Sequence, residues 1–397
     1  MERIIFHIDV NSAYLSWTAV ELLNHGAEID LRTVPAIIGG NQETRHGVVL
    51  AKSVAAKKYG IRTGEPVVNA IRKCPKLQMA SPDKDLYHRC SEALMKYLQT
   101  YTPDIEQVSV DECFLDFTGI AHLYESPITG AMQIQTGILE KFGFTVNIGI
   151  SENKLLAKMA SDFEKPNKIH TLFKDEIQKK MWPLPVRELY MAGKSSVEAL
   201  RKLEILSIGD LANANRDILR LHLKKHGETL WNFANGIGEN ELNNHVVENR
   251  GIGNSTTLEE DATTLEEGKE VLLWLAENVA KRLRMERQKA NMISVEVRYF
   301  DFQNVSHQKQ CSRATQTAQS IYTVACELFA EMWDGRPIRL LGIRTAKLVD
   351  EGEPQQMKLS DFMQERQCDI RHEKLEKMLD EMKERYGKNA VTKGTLL

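Results

Sequence analysis

Hydrophobic and polar positions along the chain alternate with two periods. Arg3 to Ile8 is apolar on both faces, which predicts a buried strand near the centre of a sheet, ending at Asp9. Residues 35–39 and 47–51 read as short strands, and Ala55 to Tyr59 as a short helix. From Asp85 to Tyr101, Leu86, Cys90, Leu94, Tyr97, Leu98 and Tyr101 recur at helical spacing. Ile105 to Ser109 and Glu112 to Phe117 predict a hairpin, and Thr129 to Phe142 a helix. Phe144, Val146, Ile148 and Ile150 alternate, predicting a strand with one apolar face. Ser151 is the expected N-cap of a helix that buries Leu155, Leu156, Met159 and Phe163.

With residues 10–80 set aside as an inserted subdomain, the order is strand, helix, strand, strand, helix, strand, that of a ferredoxin-like sheet. Residues 170–240 are mostly helical. Residues 252–348 predict a second, smaller α+β unit: helix Glu267 to Gln288, strand Met292 to Tyr299, helix Ser320 to Trp333 and strand Ile338 to Leu348. Residues 349–361 read as a linker, followed by a charged amphipathic helix from Arg371 to Tyr386.

Composition narrows the class. The 397 residues suffice for two or three domains with cores of their own. Hydrophobic residues are 42% and charged residues 27%, as in ordinary globular proteins. The net charge of −3 gives no sign of a nucleic-acid partner, so such a reading has to come from local sites. Six scattered cysteines without a C-x-x-C pair argue against a zinc site or a disulfide framework and fit a reducing cytosol. No run of 18 apolar residues predicts a membrane span, and the charged N-terminus does not read as a signal peptide.

The chemistry-bearing candidates are acidic. Asp9 follows the first strand, and Asp111 and Glu112 stand at the hairpin turn of the same expected sheet, which would bring three carboxylates to one edge. Clustered carboxylates repel unless cations lie between them, and Mg²⁺ together with phosphate oxygens is the natural filling. Read singly, Asp9 caps a turn and the acidic pair is a solvated tip. Lys57, Lys154, Lys158 and Lys165 fall near the site in sequence order, and lysine is a point-charge partner for phosphate. Tyr14 could floor a nucleotide pocket, or simply pack in a core.

Six segments taken together carry a resemblance: FHIDVNSAY at 6–14, SVDECFLD at 109–116, GISENKLLAKMASDFEKPN at 149–167, LWNFANGI at 230–237, IGNSTTL at 252–258 and IRLLGI at 338–343. In this order and spacing the chain resembles the Y-family translesion DNA polymerases, closest to the bacterial polymerase IV-type branch. The resemblance implies an α+β multidomain right hand: a ferredoxin-like palm (1–12 and 77–167), small fingers (13–76), a helical thumb with helix-hairpin-helix elements (168–240), an α+β little finger domain (241–348) and a tail (349–397). It implies primer extension with dNTPs by two-metal nucleotidyl transfer, with low fidelity, tolerance of damaged templates and no proofreading. It also implies a monomer acting in the bacterial cytoplasm, at the nucleoid when at work. Asp9, Asp111 and Glu112 match catalytic ligands of two Mg²⁺ ions, with the Val10 carbonyl as a further ligand. Tyr14 matches the ring that excludes a ribose 2′-OH. Ala13, Lys57 and Lys165 match nucleotide contacts.

The chain departs from the family pattern in places. Val54 and Lys57 stand where a tyrosine and an arginine are usual, so a phosphate hydrogen bond and a bidentate fork are missing. Asn11 replaces a common second aspartate that is not a metal ligand. Met191 replaces the first glycine of the thumb turn that precedes Gly193 and Lys194, expected to meet DNA phosphates. Arg284 and Arg298 are the little finger candidates for DNA, with Arg282, Arg313 and Arg344. Gln356 to Phe362 loosely resembles a sliding-clamp-binding peptide. Two rivals remain: a non-catalytic DNA- and clamp-binding scaffold, motivated by Val54, Lys57 and Met191, and a two-metal nuclease, which leaves Tyr14 unexplained.

Overall fold

The computed structural model describes residues 3–40, 47–243, 250–353 and 366–387, with Val391. The chain forms two compact units, the first ending by residue 245 and the second beginning at 246. The possible clamp peptide at 356–362 lies outside the described residues, as does most of the expected linker at 349–361.

In the first unit, β1 (Ile5–Val10) and α1 (Ala13–Asn24) lead into a small three-stranded sheet. That sheet comprises β2 (Ala36–Gly39), β3 (Val49–Lys52) and β4 (Gln78–Ala80), with α2 (Val54–Lys57) and α3 (Val67–Lys73) between the last two strands. Then come α4 (Lys84–Leu98), β5 (Ile105–Gln107), β6 (Glu112–Asp116), α5 (Pro127–Phe142), β7 (Val146–Ser151), α6 (Lys154–Ser161) and β8 (Ile169–Thr171). The larger sheet runs β5-β6-β1-β7-β8. Its first four strands are antiparallel neighbours, and β8 adds parallel to β7. The expected ferredoxin-like order is therefore present, with β8 as an addition. β4 pairs with β2 and so belongs to the small sheet.

β1 is central, between β6 and β7, and Ile5 to Ile8 are fully buried. Sequence alternation predicts one apolar face for β7, but the strand is buried on both, because α5 and α6 also pack against it. The N-cap of α6 is Asn153, whose side chain accepts from Leu156 N at 2.8 Å. Ser151, the expected cap, is the last residue of β7 and donates to the Leu172 carbonyl instead. Gly149 lets α6 lie close on the strand: a Cβ there would stand 2.0 Å from the Ala157 carbonyl oxygen and 2.4 Å from Ser161 N. That approach brings Lys158 and Ser161 over β1.

The rest of this unit is helical, with α7 (Ile177–Lys180), α8 (Lys194–Lys202), α9 (Ile208–Ala212) and α10 (Arg216–Ala234). α6, Leu200, Leu211, Leu219 and Leu230 share one apolar core. Met191, just before α8, has a left-handed φ of 65°. The turn forms despite its missing glycine, in the conformation that favours glycine.

The second unit is a four-stranded antiparallel sheet, β9 (Gly253–Ala262), β10 (Gln288–Tyr299), β11 (Asn304–Thr315) and β12 (Ile338–Asp350), ordered β11-β10-β12-β9. α11 (Leu265–Met285) and α12 (Ala318–Met332) share its core. β9 and β11 escape sequence reasoning because they are largely polar edge strands. The last helix, α13 (Arg366–Tyr386), is fastened by charge. Arg284 pairs with Glu376 and, at 2.7 Å, with Asp380, and Lys289 lies 3.0 Å from Glu373. Arg284, expected as a DNA contact, has a side chain only 8% exposed, and its charge is met within the unit. Arg298 remains on the sheet, donating to Asn304 Oδ1 at 2.7 Å.

Candidate active site

The register of the large sheet assembles the acids. Asp9 on β1 lies directly opposite Glu112 on β6, so the two carboxylates share one face. The Val10 N–H donates to the Asp111 carbonyl at 3.0 Å, which brings Asp111 and the Val10 backbone to the same strand end. Ser109 Oγ donates to Asp111 Oδ1 at 2.6 Å.

Two lysines meet these acids. Lys158 Nζ lies 2.9 Å from Glu112 Oε2, 3.7 Å from Asp9 Oδ2 and 3.5 Å from Asp162 Oδ2. Lys165 Nζ lies 2.5 Å from Asp9 Oδ2 and 2.8 Å from Asp162 Oδ1. Burial alone would lower both ammonium groups, but the facing carboxylates outweigh it and hold them above the usual lysine range. Contact with His7, then Lys158, holds the Glu112 carboxyl down at about 2, against the opposing effect of burial. Of the four lysines near the site in sequence order, Lys154 is the one directed elsewhere, 3.0 Å from Glu106 and 3.1 Å from Glu239.

A cleft of about 420 Å³ opens beside the acids. Asp9, Asp111 and Lys165 line one side, Lys52, Val54 and Lys57 another, with Ala13 and Tyr14 between. The Tyr14 ring is stacked on Tyr87 at 4.3 Å between centroids, and Thr18 Oγ1 donates to the Tyr14 carbonyl. Ser53 caps α2 by accepting from Ala56 N, which places Val54 in its first turn, half exposed. Nothing in the local sequence singles out Lys52; the strand pairing of β3 with β2 carries it to the cleft. Burial, then the neighbouring Lys57 charge, lowers its pKa, so the pair forms a basic wall suited to phosphate.

Asn11 has a fastening role. Its Oδ1 accepts from Thr145 Oγ1 at 2.9 Å and from Asn167 N at 2.8 Å, and its Nδ2 donates to Asn147 Oδ1 at 3.0 Å. It ties the loop that carries Lys165 to the end of β1. Gly193 and Lys194 open α8, away from the cleft lining, with Lys194 exposed.

The donor set suits hard divalent cations: carboxylate oxygens and a backbone carbonyl on one strand end, with positive charge already drawn against them. Among the described residues no three acidic, histidine or cysteine side chains converge as they stand to hold one ion. Lys158 and Lys165 pair with Asp9 and Glu112 instead.

Comparisons with known proteins give the family. The impB/mucB/samB family model matches residues 8–162, and the model of that family's C-terminal domain matches 249–359. The chain is 46% identical over 397 residues to a DNA polymerase IV of Clostridium acetobutylicum, covering all of this chain and 99% of that one. It is 35% identical over 397 residues to DNA polymerase IV 1 of Bacillus subtilis, covering all of this chain and 93% of that one. Among solved structures, a Y-family DNA polymerase chimera superposes with a TM-score of 0.76 at 22% identity, over 87% of this chain and 99% of the other, a likeness of fold. With both family models matched and full-length relatives at this identity, the chain belongs to the impB/mucB/samB family of Y-family DNA polymerases.

Proposed function

We propose that the chain is a template-directed DNA polymerase of the translesion class, extending a primer 3′-end with dNTPs. The observation that carries this reading is the placement of Asp9, Asp111 and Glu112 at one strand end beside a cleft walled by Lys52, Lys57 and Lys165 and floored by Tyr14. Asp9, Asp111, Glu112 and the Val10 carbonyl would hold two Mg²⁺ ions, which would acidify the primer hydroxyl and neutralise the triphosphate.

The chain's own groups do the positioning. Lys52, Lys57 and Lys165 bind the triphosphate as point charges. Lys158 and Lys165 neutralise the acids until substrate arrives. Tyr14, held flat against Tyr87, sets the depth of the sugar pocket and excludes a 2′-OH. Asn11 holds the Lys165 loop. Catalysis is then mainly orientation and charge stabilisation. The cleft is bordered by short elements, α2 being four residues long, which supports tolerance of distorted templates.

The domain roles follow: palm for the large sheet, fingers for the small one, thumb for the helices after β8, and little finger for the second unit. Gly193 and Lys194 would meet DNA phosphates from the thumb, and Arg298 and Arg344 from the little finger. Gln356 to Phe362 would bind the sliding clamp; a pull-down with the tail peptide tests it. No helix among the described residues is long and apolar enough to cross a membrane, and the bacterial relatives support work in the cytoplasm.

Primer extension on undamaged template with Mg²⁺ and dNTPs, beside Asp111→Ala, tests the reading. Extension by the wild type that vanishes in the variant supports it. Folded wild-type protein that binds primer-template without extending it would favour the non-catalytic scaffold.

A further inference from the structure

One buried polar group beneath the acids has no part in the scheme above. His7 stands on β1 two residues before Asp9, on the same face of the strand, and is fully buried. Phe114 is its antiparallel neighbour, with ring centroids 4.8 Å apart. Its Nδ1 lies 2.8 Å from Ser161 Oγ at the end of α6. Its Nε2 makes no hydrogen bond, although Glu112 Oε2 lies 3.4 Å away.

A histidine buried only for packing would leave that nitrogen as pure cost, since an unpaired polar atom in a core is unfavourable. The ring chemistry gives it a use. A neutral imidazole has one donor and one acceptor, and an ionised carboxylate only accepts. The contact with Glu112 therefore calls for the Nε2–H form. Nδ1 then has to accept, and the Ser161 hydroxyl, 2.8 Å away, becomes its donor by turning from the Lys158 carbonyl, to which it now donates at 2.8 Å.

We infer that His7 is a positioning residue: the chain Ser161 Oγ–H to His7 Nδ1, and His7 Nε2–H to Glu112 Oε2, fixes the rotation of the Glu112 carboxylate so that Oε1 is presented to a divalent cation. The inference rests on the reading of Glu112 as a cation ligand. Lys158 also contacts Oε2, but it divides its charge among Glu112, Asp9 and Asp162 at the end of a flexible stem. The imidazole is rigid and enclosed, so it adds a fixed direction that the lysine stem does not. Such outer contacts to a ligand typically change metal affinity by about 10–100-fold.

Mn²⁺ is the probe, its free fraction read by electron paramagnetic resonance with the full chain bound to primer-template. His7→Leu should weaken Mn²⁺ binding about tenfold and raise the Mg²⁺ concentration for half-maximal extension by a like factor. Primer-template affinity and the dNTP KM at saturating metal should stay unchanged. His7→Gln, whose amide offers a donor at about the reach of Nε2, should restore most of the affinity. Wild-type Mn²⁺ affinity in His7→Leu, with affinity lost in Glu112→Ala, overturns the inference and leaves the site standing. Affinity kept in Glu112→Ala overturns the site reading, and the inference with it. If His7→Leu fails to fold, Ser161→Ala decides: weakened Mn²⁺ binding supports the chain of bonds, and unchanged binding refutes it.

Discussion

Asn11→Ala is expected to loosen both the fold and the nucleotide site. The residue is 8% exposed, and its side chain makes three hydrogen bonds, to Thr145, Asn167 and Asn147. At about 1 kcal/mol net for each bond, their loss costs about 3 kcal/mol. The orphaned groups do not raise this much: Asn147 Oδ1 keeps Lys168 N at 3.2 Å, and Thr145 is partly exposed to water. The exception is Asn167 N, whose partner disappears. Because that amide lies two residues past Lys165, the lysine proposed to bind the triphosphate loses its preset position, and the dNTP KM should rise while primer-template affinity holds. Asn11→Asp separates the two effects. It keeps both acceptor bonds but sets a buried carboxylate oxygen against Asn147 Oδ1, so it should still lower stability while the dNTP KM stays near wild type. Urea denaturation and steady-state extension kinetics measure both. An Asn11→Ala protein with an unchanged urea midpoint and an unchanged KM would refute the fastening role.

Three further outcomes are expected. Val54→Tyr with Lys57→Arg adds a hydroxyl and a bidentate fork to the cleft wall and should lower the dNTP KM; an unchanged KM in steady-state kinetics counts against the phosphate role of that wall. Met191→Gly removes the strain of a left-handed φ, worth about 1–2 kcal/mol, partly offset by the greater freedom of glycine in the unfolded chain; a net gain of about 1 kcal/mol should appear as a higher urea midpoint. Glu112 has a folded pKa of about 2 against an ordinary 4.5, so in metal-free protein it contributes stability that is present above about pH 4.5 and lost as pH falls toward 2. The Tm advantage of wild type over Glu112→Gln should therefore shrink on going from about pH 6 to about pH 3; a constant difference would show that the ionised carboxylate is not held by His7 and Lys158.

Much of the site is legible in the chain because its parts are local or follow strand ends. Asp9 ends an apolar run, Asp111 and Glu112 sit at a hairpin, and the ferredoxin-like order leaves little choice about which strands become neighbours. The elements that sequence reasoning misses have weak patterns for a physical reason. β9 and β11 carry few apolar residues, being edge strands, the one mostly half-buried and the other largely exposed. Ser151 has the chemistry of a helix cap, yet Asn153 takes that place because pairing extends β7 through Ser151. Arg284 has the charge of a DNA contact, and nothing local reveals that Glu376 and Asp380, some 90 residues later, meet it.

The sequence by itself determined the strand and helix order of the ferredoxin-like sheet, the positions of the three acids, and the family, since periodicity and motif spacing are properties of neighbours along the chain. Tertiary structure alone decided what surrounds each charge. Register placed Glu112 opposite Asp9, Gly149 let α6 bring Lys158 and Ser161 over β1, and the small sheet carried Lys52 to the cleft. Electrostatic energies depend on distance and burial between residues far apart in sequence, and those quantities exist only once the chain has folded.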